Sequence, residues 1–142
     1  MSTLLKISDG AALAIHSMIL MAKFNDRLLS NQEMATILRA SSHHLSKVLQ
    51  RLARAGLVQS VRGPSGGFRL IREPGSITLM EVFEAVDGPM RLGTCLFSKP
   101  LCDGSSCVMG ELLGKINRLF VDHMQGKVLS DLVGAYDCVE VD

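Results

Sequence analysis

Three of the four cysteines in the 142-residue sequence lie in one short segment, TCLFSKPLCDGSSC, at residues 94–107. Cys95, Cys102 and Cys107 have the spacing C-x6-C-x4-C, and the Pro and Gly residues between them indicate a loop. Thiolates on such a loop can hold zinc or an iron-sulfur cluster, and neighbouring thiols can form a redox-sensitive disulfide. The segment therefore predicts a metal centre or a thiol switch, and three inert apolar side chains are the plainest alternative.

The composition is that of a folded protein, with 47% hydrophobic and 20% charged residues in a length that allows one domain and an added arm. No apolar run approaches the roughly 20 residues that a membrane-spanning helix needs. Asp9 and His16 interrupt the apolar N-terminal segment, so it does not resemble a secretory signal. We expect a cytoplasmic protein without a membrane partner. In a reducing cytosol, clustered cysteines favour metal or redox chemistry over structural disulfides.

Positive charge is concentrated in one stretch, although the net charge of the chain is only +1. Residues 34–72 contain seven Lys or Arg residues and no Asp or Glu. Such a one-signed stretch in a nearly neutral protein indicates a surface that meets phosphate, and double-stranded DNA is the expected partner.

The first half of the chain has the pattern of a helix-turn-helix followed by a hairpin. We expect a helix at residues 4–24, a second at 31–38 that Ser30 and Glu33 begin as a capping box, and a third from Ser41 or Ser42 to about 55. In LVQSVRGPSGGFRLI the period changes to two, which predicts strands at 57–62 and 68–71 around a turn. A basic hairpin at this place is a wing.

The second half predicts two further helices on either side of the cysteines. One begins at Ser76 or Thr78 and ends at Gly88, and a long one spans about 108–125. The apolar stripe of the long helix indicates a two-fold dimer, and packing against the first helix of the same chain is the alternative, which does not exclude the dimer. The expected fold is mainly α with a small β-wing, a winged helix-turn-helix with a long C-terminal dimerisation helix. We divide it into a DNA-binding domain at 1–88, a cysteine loop at 89–107, the dimerisation helix and a final turn at 108–133, and a frayed tail at 134–142.

The candidate DNA contacts lie at the start of the third helix and at the tip of the wing. Recognition helices present their first residues to base edges in the major groove, and a wing places Arg and Gly at a minor groove. Adjacent histidines on a helix point about 100° apart, which disfavours a metal site at residues 43 and 44. The expected contacts are Ser41, Ser42, His43, His44, Ser46, Lys47, Arg51, Arg62, Gly63, Pro64, Ser65, Gly66 and Gly67.

The stretch RLARAGLVQSVRGPSGGFRLIREPGSITLMEVFEAVDG, together with the opening LLKISDGAALAIHSMILMA, resembles the Rrf-two (BadM-type) bacterial transcription regulators. This family includes the iron-sulfur regulator IscR and the nitric-oxide sensor NsrR, and the resemblance covers about residues 3–133. It implies a homodimeric winged-helix repressor or activator whose long C-terminal helices cross between subunits, and of the two we expect a repressor.

The resemblance also implies that Cys95, Cys102 and Cys107 hold an iron-sulfur cluster, with 4Fe-4S favoured over 2Fe-2S. IscR-like proteins take a fourth ligand from a His three residues after the third cysteine, where this chain has Gly110. NsrR-like proteins use an Asp near the start of the first helix of the partner subunit, and Asp9 stands in the matching context. The family spacing is nearer five and five residues than the six and four found here, which leaves the cluster type open.

Three other interpretations of the cysteine loop stay open. The loop could hold a structural zinc ion, or it could act as a metal-free dithiol switch. An enzyme with a Cys nucleophile and His16 or His123 as base is the third, but no nucleophile turn or oxyanion motif accompanies these residues. Cys138, in the expected tail, is interpreted as a bystander thiol.

Overall fold

The computed structural model describes residues 7–139, and these form five α-helices and one two-stranded antiparallel sheet. The elements are α1 (Asp9–Lys23), α2 (Asn31–Leu38), α3 (Ser42–Arg54), β1 (Val58–Val61), β2 (Gly67–Leu70), α4 (Leu79–Asp87) and α5 (Leu112–Gly126), with 3-10 turns at Pro74–Ser76, Leu129–Asp131 and Val133–Tyr136. The predicted fold class, mainly helical with a small β-wing, is confirmed. Among the described residues no helix is both long and apolar enough to cross a membrane.

Helices α2 and α4 both begin with capping boxes, of which only the one at Ser30 was predicted; at α4 the cap is Thr78 rather than Ser76. The hydroxyl of Ser30 accepts from the backbone N–H of Glu33 at 3.1 Å, and the carboxylate of Glu33 accepts from the Ser30 N–H at 2.8 Å. Thr78 and Glu81 repeat this arrangement at the start of α4, with distances of 3.1 and 3.0 Å. Both boxes satisfy N–H groups that would otherwise lack a partner in the first turn, so they fix where the helices begin.

The core is built around α1, which packs against both α3 and α4, and these two helices also contact each other. Its inner residues, among them Met18 and Leu20, have no exposed surface, and the apolar stripe of α3 closes over them. The predicted start of α1 differs from the observed one, because Ser8 caps the helix with its hydroxyl and α1 begins at Asp9. Residues 4–6 of the expected helix lie outside the described residues.

The wing is a short hairpin that is joined to the helix-turn-helix at its base. Val58 pairs with Leu70 and Val61 with Gly67, so β1 is two residues shorter than predicted, whereas β2 has the predicted length but begins and ends one residue earlier. The backbone of Phe68 also exchanges two hydrogen bonds with Leu29, at 3.0 and 2.7 Å, just before α2. This bridge fixes the direction of the wing relative to α2 and α3.

Helix α5 begins at Leu112 rather than near residue 108, so the prediction of its start was wrong by four residues. Val108 is 95% exposed and lies in a turn, in which the N–H of Gly110 donates to the carbonyl of Cys107 at 3.0 Å. Gly110 has a φ of +55°, a left-handed conformation that interrupts the helix. The apolar periodicity on which the prediction rested does not report this backbone change.

The segment after α5 is ordered by contacts with α1, contrary to the frayed tail that we expected from residue 134. The Tyr136 hydroxyl hydrogen-bonds to His16 Nδ1, and Lys23 forms an ion pair with Asp137 at 2.7 Å. Leu129 is fully buried in the same core as α1. The C-terminal segment therefore belongs to the packed core up to about Tyr136. Residues 140–142 lie outside the described residues.

Candidate nucleic-acid interface and cysteine loop

Helix α3 exposes a polar first turn while its apolar stripe is buried. The Ser41 hydroxyl caps the helix by accepting from the His44 N–H at 3.3 Å. The side chains of the predicted recognition set at 41–44 and Lys47 are exposed, and Ser46 is half-buried. Leu45, Val48, Leu49 and Leu52 hold the opposite face in the core. The first turn is thus free to meet a ligand, as the major-groove interpretation requires.

Asn31 positions the start of α3, a role that the sequence analysis missed. Its side-chain amide donates to the carbonyl of Ser42 at 3.1 Å, and this bond joins the first residue of α2 to the first residue of α3. Arg39 forms the turn between the helices in a left-handed conformation, with a φ of +52°. The angle between α2 and α3 is therefore held by the Asn31 side chain at the start of α2 and by the turn at Arg39 after its end.

Two of the wing glycines are required by the fold itself, independently of any contact with DNA. A Cβ added at Gly66 would lie 2.1 Å from the carbonyl oxygen of Val61, and one added at Gly67 would lie 2.6 Å from that of Leu29. Both clashes are with backbone atoms, so only glycine fits at these positions. The remaining predicted tip residues, Arg62, Gly63, Pro64 and Ser65, are exposed.

The positive stretch divides into cations that are engaged within the fold and cations that are not. Arg72 pairs with Glu81 at 2.8 Å. The hydrogen bond that Arg72 donates, together with the one from the Thr78 N–H, lowers the pKa of the Glu81 carboxyl. Arg51 donates to the carbonyl of Val86, and Arg69 to the side chain of Gln59 across the hairpin, both at 3.0 Å. Within residues 7–139 the side chains of four cations of this stretch enter no ion pair or hydrogen bond: Arg39, Lys47, Arg54 and Arg62.

The cysteine loop has no regular secondary structure between α4 and α5, and its three cysteines are free thiols. Cys102 is exposed, and Cys95 and Cys107 are half-buried. The loop is held at Gly93, whose carbonyl accepts from the side chain of Asn117 on α5 at 3.1 Å. Asp103 accepts from both the N–H and the hydroxyl of Ser105, and these bonds lower the pKa of its carboxyl.

The chemistry of this donor set fits a thiolate-bound metal centre, although the thiols are not gathered around one point in the single chain. Within residues 7–139 no three His, Cys, Asp or Glu side chains form a group that could hold a metal ion. Three sulfurs on an irregular loop, free of disulfides, are nevertheless the donors that iron-sulfur clusters and zinc take. A complete site needs a fourth ligand from elsewhere.

Asp9, the predicted fourth ligand, is exposed at the start of α1. It lines an open groove of about 510 Å³ with His16, Arg39 and Tyr136, between α1, the turn after α2 and the C-terminal segment. The cysteines of the same chain do not line this groove. Because the expected ligand comes from the partner subunit, the role of Asp9 stays a prediction.

Helix α5 buries one face against α4 and leaves apolar side chains on another. Leu113 and Met124 are buried, and Met124 packs with Met80 and Phe83 of α4. Leu112 and Leu119 are 49% and 72% exposed, and they lie two turns apart on one side of the helix. Both interpretations of the α5 stripe are thus compatible with its packing: part of it covers the core of its own chain, and part is available to a partner.

Comparisons with known proteins agree with this arrangement. A family model for Rrf2, described as an iron-dependent transcriptional regulator, matches residues 7–135. The protein aau3 of Rhizobium meliloti is 32% identical over 135 residues, which cover 92% of this chain and 86% of that protein.

Two solved structures share the fold over nearly the whole chain. The global cysteine regulator CymR of B. subtilis is 28% identical, with a TM-score of 0.77 over 94% of this chain and 99% of CymR. IscR of T. potens, at 22% identity, has a TM-score of 0.70 over 97% of this chain and 93% of IscR. With a family model that covers most of its length, this chain belongs to the Rrf2 family of transcriptional regulators.

Proposed function

We propose that this protein is a homodimeric, cytoplasmic DNA-binding repressor whose operator affinity is set by an iron-sulfur cluster in its cysteine loop. The observation that carries the proposal is the position of this loop. Three free thiols lie in the segment that joins α4 to α5, and α4 packs directly on the recognition helix α3. Only α4 therefore separates the cysteine loop from the helix that would meet DNA.

The exposed first turn of α3 supports binding in the major groove, with the predicted set at residues 41–47 near base edges and Lys47 near phosphate. The exposed wing tip at residues 62–65 supports a second contact in a neighbouring minor groove. Arg39, Arg54 and Arg62, which are unpaired within the described residues, supply the remaining positive charge. Phosphate contacts of this kind bind DNA of any sequence, and the base contacts select the operator.

The cluster would be held by Cys95, Cys102 and Cys107, with Asp9 of the other subunit as the fourth ligand. A carboxylate is a harder ligand than a thiolate, so this corner of the cluster would exchange most readily. A bound cluster supplies a redox-active centre that responds to oxidants, nitric oxide or the supply of iron-sulfur clusters. The exposed leucines of α5 support the dimer that this ligand set requires.

Spectra of anaerobically purified protein test this proposal. We expect a brown protein whose visible and EPR spectra are lost in Cys102→Ala and altered in Asp9→Ala. Cys138→Ala is the matched control, because Cys138 is an exposed thiol outside the loop and its loss should leave the spectra unchanged. A colourless wild-type protein that contains zinc would refute the cluster, and an unchanged spectrum in Asp9→Ala would remove that residue from the ligand set.

A metal-free thiol switch is the second candidate, and the exposure of Cys102 favours it. Exposed thiols are the ones that oxidants reach first. The similarity to CymR, a cysteine regulator, also supports a sensor of thiol chemistry. This candidate predicts a disulfide between two of the three loop cysteines after peroxide treatment, which mass spectrometry detects, together with DNA binding by metal-free protein.

A further inference from the structure

The last turn of α4 is bonded to two other helices immediately before the cysteine loop begins. Arg51 of α3 donates from Nη1 to the carbonyl of Val86 at 3.0 Å. On the other side, the carboxylate of Asp87 accepts from the N–H of Ser8 at 3.2 Å and from its hydroxyl at 2.5 Å. Ser8 is the N-cap of α1, so the end of α4 is joined to the start of α1 as well as to α3.

Close packing joins the same three helices at this point. A Cβ added at Gly10 of α1 would lie 3.4 Å from a methyl carbon of Val86 and 3.8 Å from one of Val48 on α3. Gly10 therefore lies where α1, α3 and α4 meet, at van der Waals distance from side chains of both other helices.

The first residues of the cysteine loop are also bound to α4. Gly88 ends the helix with a φ of +80°, and the N–H of Met90 donates to the carboxylate of Glu84 at 3.2 Å. The loop therefore leaves α4 from a fixed point, and a displacement of the loop acts first on the last turn of this helix.

The carbonyls of the last turn of a helix lack partners within the helix, and the C-terminal end carries partial negative charge. An arginine that donates there satisfies one carbonyl and places a positive charge where the helix favours it. Arg51 thus supplies to α4 a cap from another helix. A guanidinium has five N–H groups, so this bond leaves others for a DNA phosphate.

We infer that Arg51 is a positioning residue that couples the state of the cysteine loop to the orientation of α3, through its bond to the Val86 carbonyl. This inference rests on the proposed function, in which the loop controls DNA binding. It changes the expectation for substitutions of Arg51. If Arg51 only contacted a DNA phosphate, its removal would weaken DNA binding equally in every state of the loop.

A double-mutant cycle separates these roles. Affinity is measured anaerobically for wild type, Arg51→Met, Cys102→Ala and the double variant, with a duplex that the wild type has selected from a random-sequence pool. We expect Cys102→Ala to change the affinity at least about fivefold in the wild-type background and less than about twofold in the Arg51→Met background. Circular dichroism verifies folding, and Arg51→Gln is a second variant that removes the charge and the reach to Val86.

Arg54→Met is the matched control, because Arg54 lies on the same helix and has no ion pair within residues 7–139. It should lower affinity by the same factor with and without Cys102→Ala. An equal effect of Cys102→Ala in the wild-type and Arg51→Met backgrounds would overturn the coupling role and leave the proposed function standing. No effect of Cys102→Ala in the wild type would instead overturn the proposed function, and the inference with it.

Hydrogen exchange gives a second readout that needs no DNA. If Arg51 carries the coupling, Cys102→Ala raises the exchange of amides in α3 of the wild type and leaves α3 unchanged when Arg51→Met is already present. Equal increases in both backgrounds would contradict the coupling even if the affinities were ambiguous.

Discussion

Gly67→Ala tests whether the wing is held by its bridge to the residue before α2. A Cβ at this position would lie 2.6 Å from the carbonyl oxygen of Leu29 and 2.8 Å from its carbonyl carbon. Because both are backbone atoms, no side-chain rotation can relieve the clash. We therefore expect alanine to open the bridge between Leu29 and Phe68.

The cost follows from the bonds that are lost. The bridge consists of two backbone hydrogen bonds, from Leu29 to Phe68 at 3.0 Å and in return at 2.7 Å. At about 1 kcal/mol for each bond, Gly67→Ala lowers the free energy of unfolding by about 2 kcal/mol. In a chain of this size, that loss lowers the melting temperature by roughly 6–10 °C.

Thermal unfolding followed by circular dichroism measures this change, at one fixed protein concentration because the stability of a dimer depends on concentration. Gly126→Ala is the control, since an added Cβ there meets nothing within 4 Å and the backbone is not left-handed. We expect its effect to stay within about 1 kcal/mol. A Gly67→Ala variant as stable as the control would refute the proposed role of the bridge.

Three further predictions follow from the described contacts. Leu119→Asp should convert the proposed dimer to monomers in sedimentation experiments, because it charges the exposed apolar face of α5, whereas Lys115→Gln, at an already polar position, should not. Lys47→Ala should reduce the slope of log affinity against log salt by about 1 and weaken binding to all sequences similarly, and a loss confined to one sequence would contradict a phosphate contact. Arg72 and Thr78 lower the pKa of Glu81, so its charged form stabilises the fold above the ordinary value of 4.5 and this contribution is lost as the pH falls through the lower folded value. Urea unfolding of Glu81→Gln should therefore show a weaker dependence on pH in that acidic range than wild type does.

Local chemistry made the starts of α2 and α4 and the presence of the wing predictable from sequence. Ser30 and Thr78 each precede a Glu by three residues, and this pattern satisfies backbone N–H groups without help from the rest of the chain. The change from helical to alternating periodicity after residue 56 identified the hairpin for the same reason. Each of these features depends only on residues that are near in sequence.

Long-range partners were not predictable in this way. Arg51 looked like one more cation of a basic face, because its bond to Val86 joins residues 35 positions apart. Tyr136 bonds to His16 across 120 positions, so nothing local distinguished the C-terminal segment from a frayed tail. The proposed fourth ligand of the cysteine loop, Asp9, belongs to this class too, since it would come from the partner subunit.

The cysteine loop and α5 form one segment of the chain, and both ends of this segment are bound near α4. The segment begins at the C-terminal end of α4. It ends beside the N-terminal end of α4, where the N–H of Leu79 donates to the carbonyl of Lys127 and the N–H of Leu129 to that of Ile77, both at 3.0 Å. A sensor joined at one end only could relieve a change in its loop by fraying. Here Leu129 is fully buried, so this end is fixed, and under the proposed function a change in the loop would be taken up by α4 or by the exposed apolar face of α5. Because α4 packs on both α1 and α3, the proposed thiol chemistry and subunit contact would act on the same helix that supports α3.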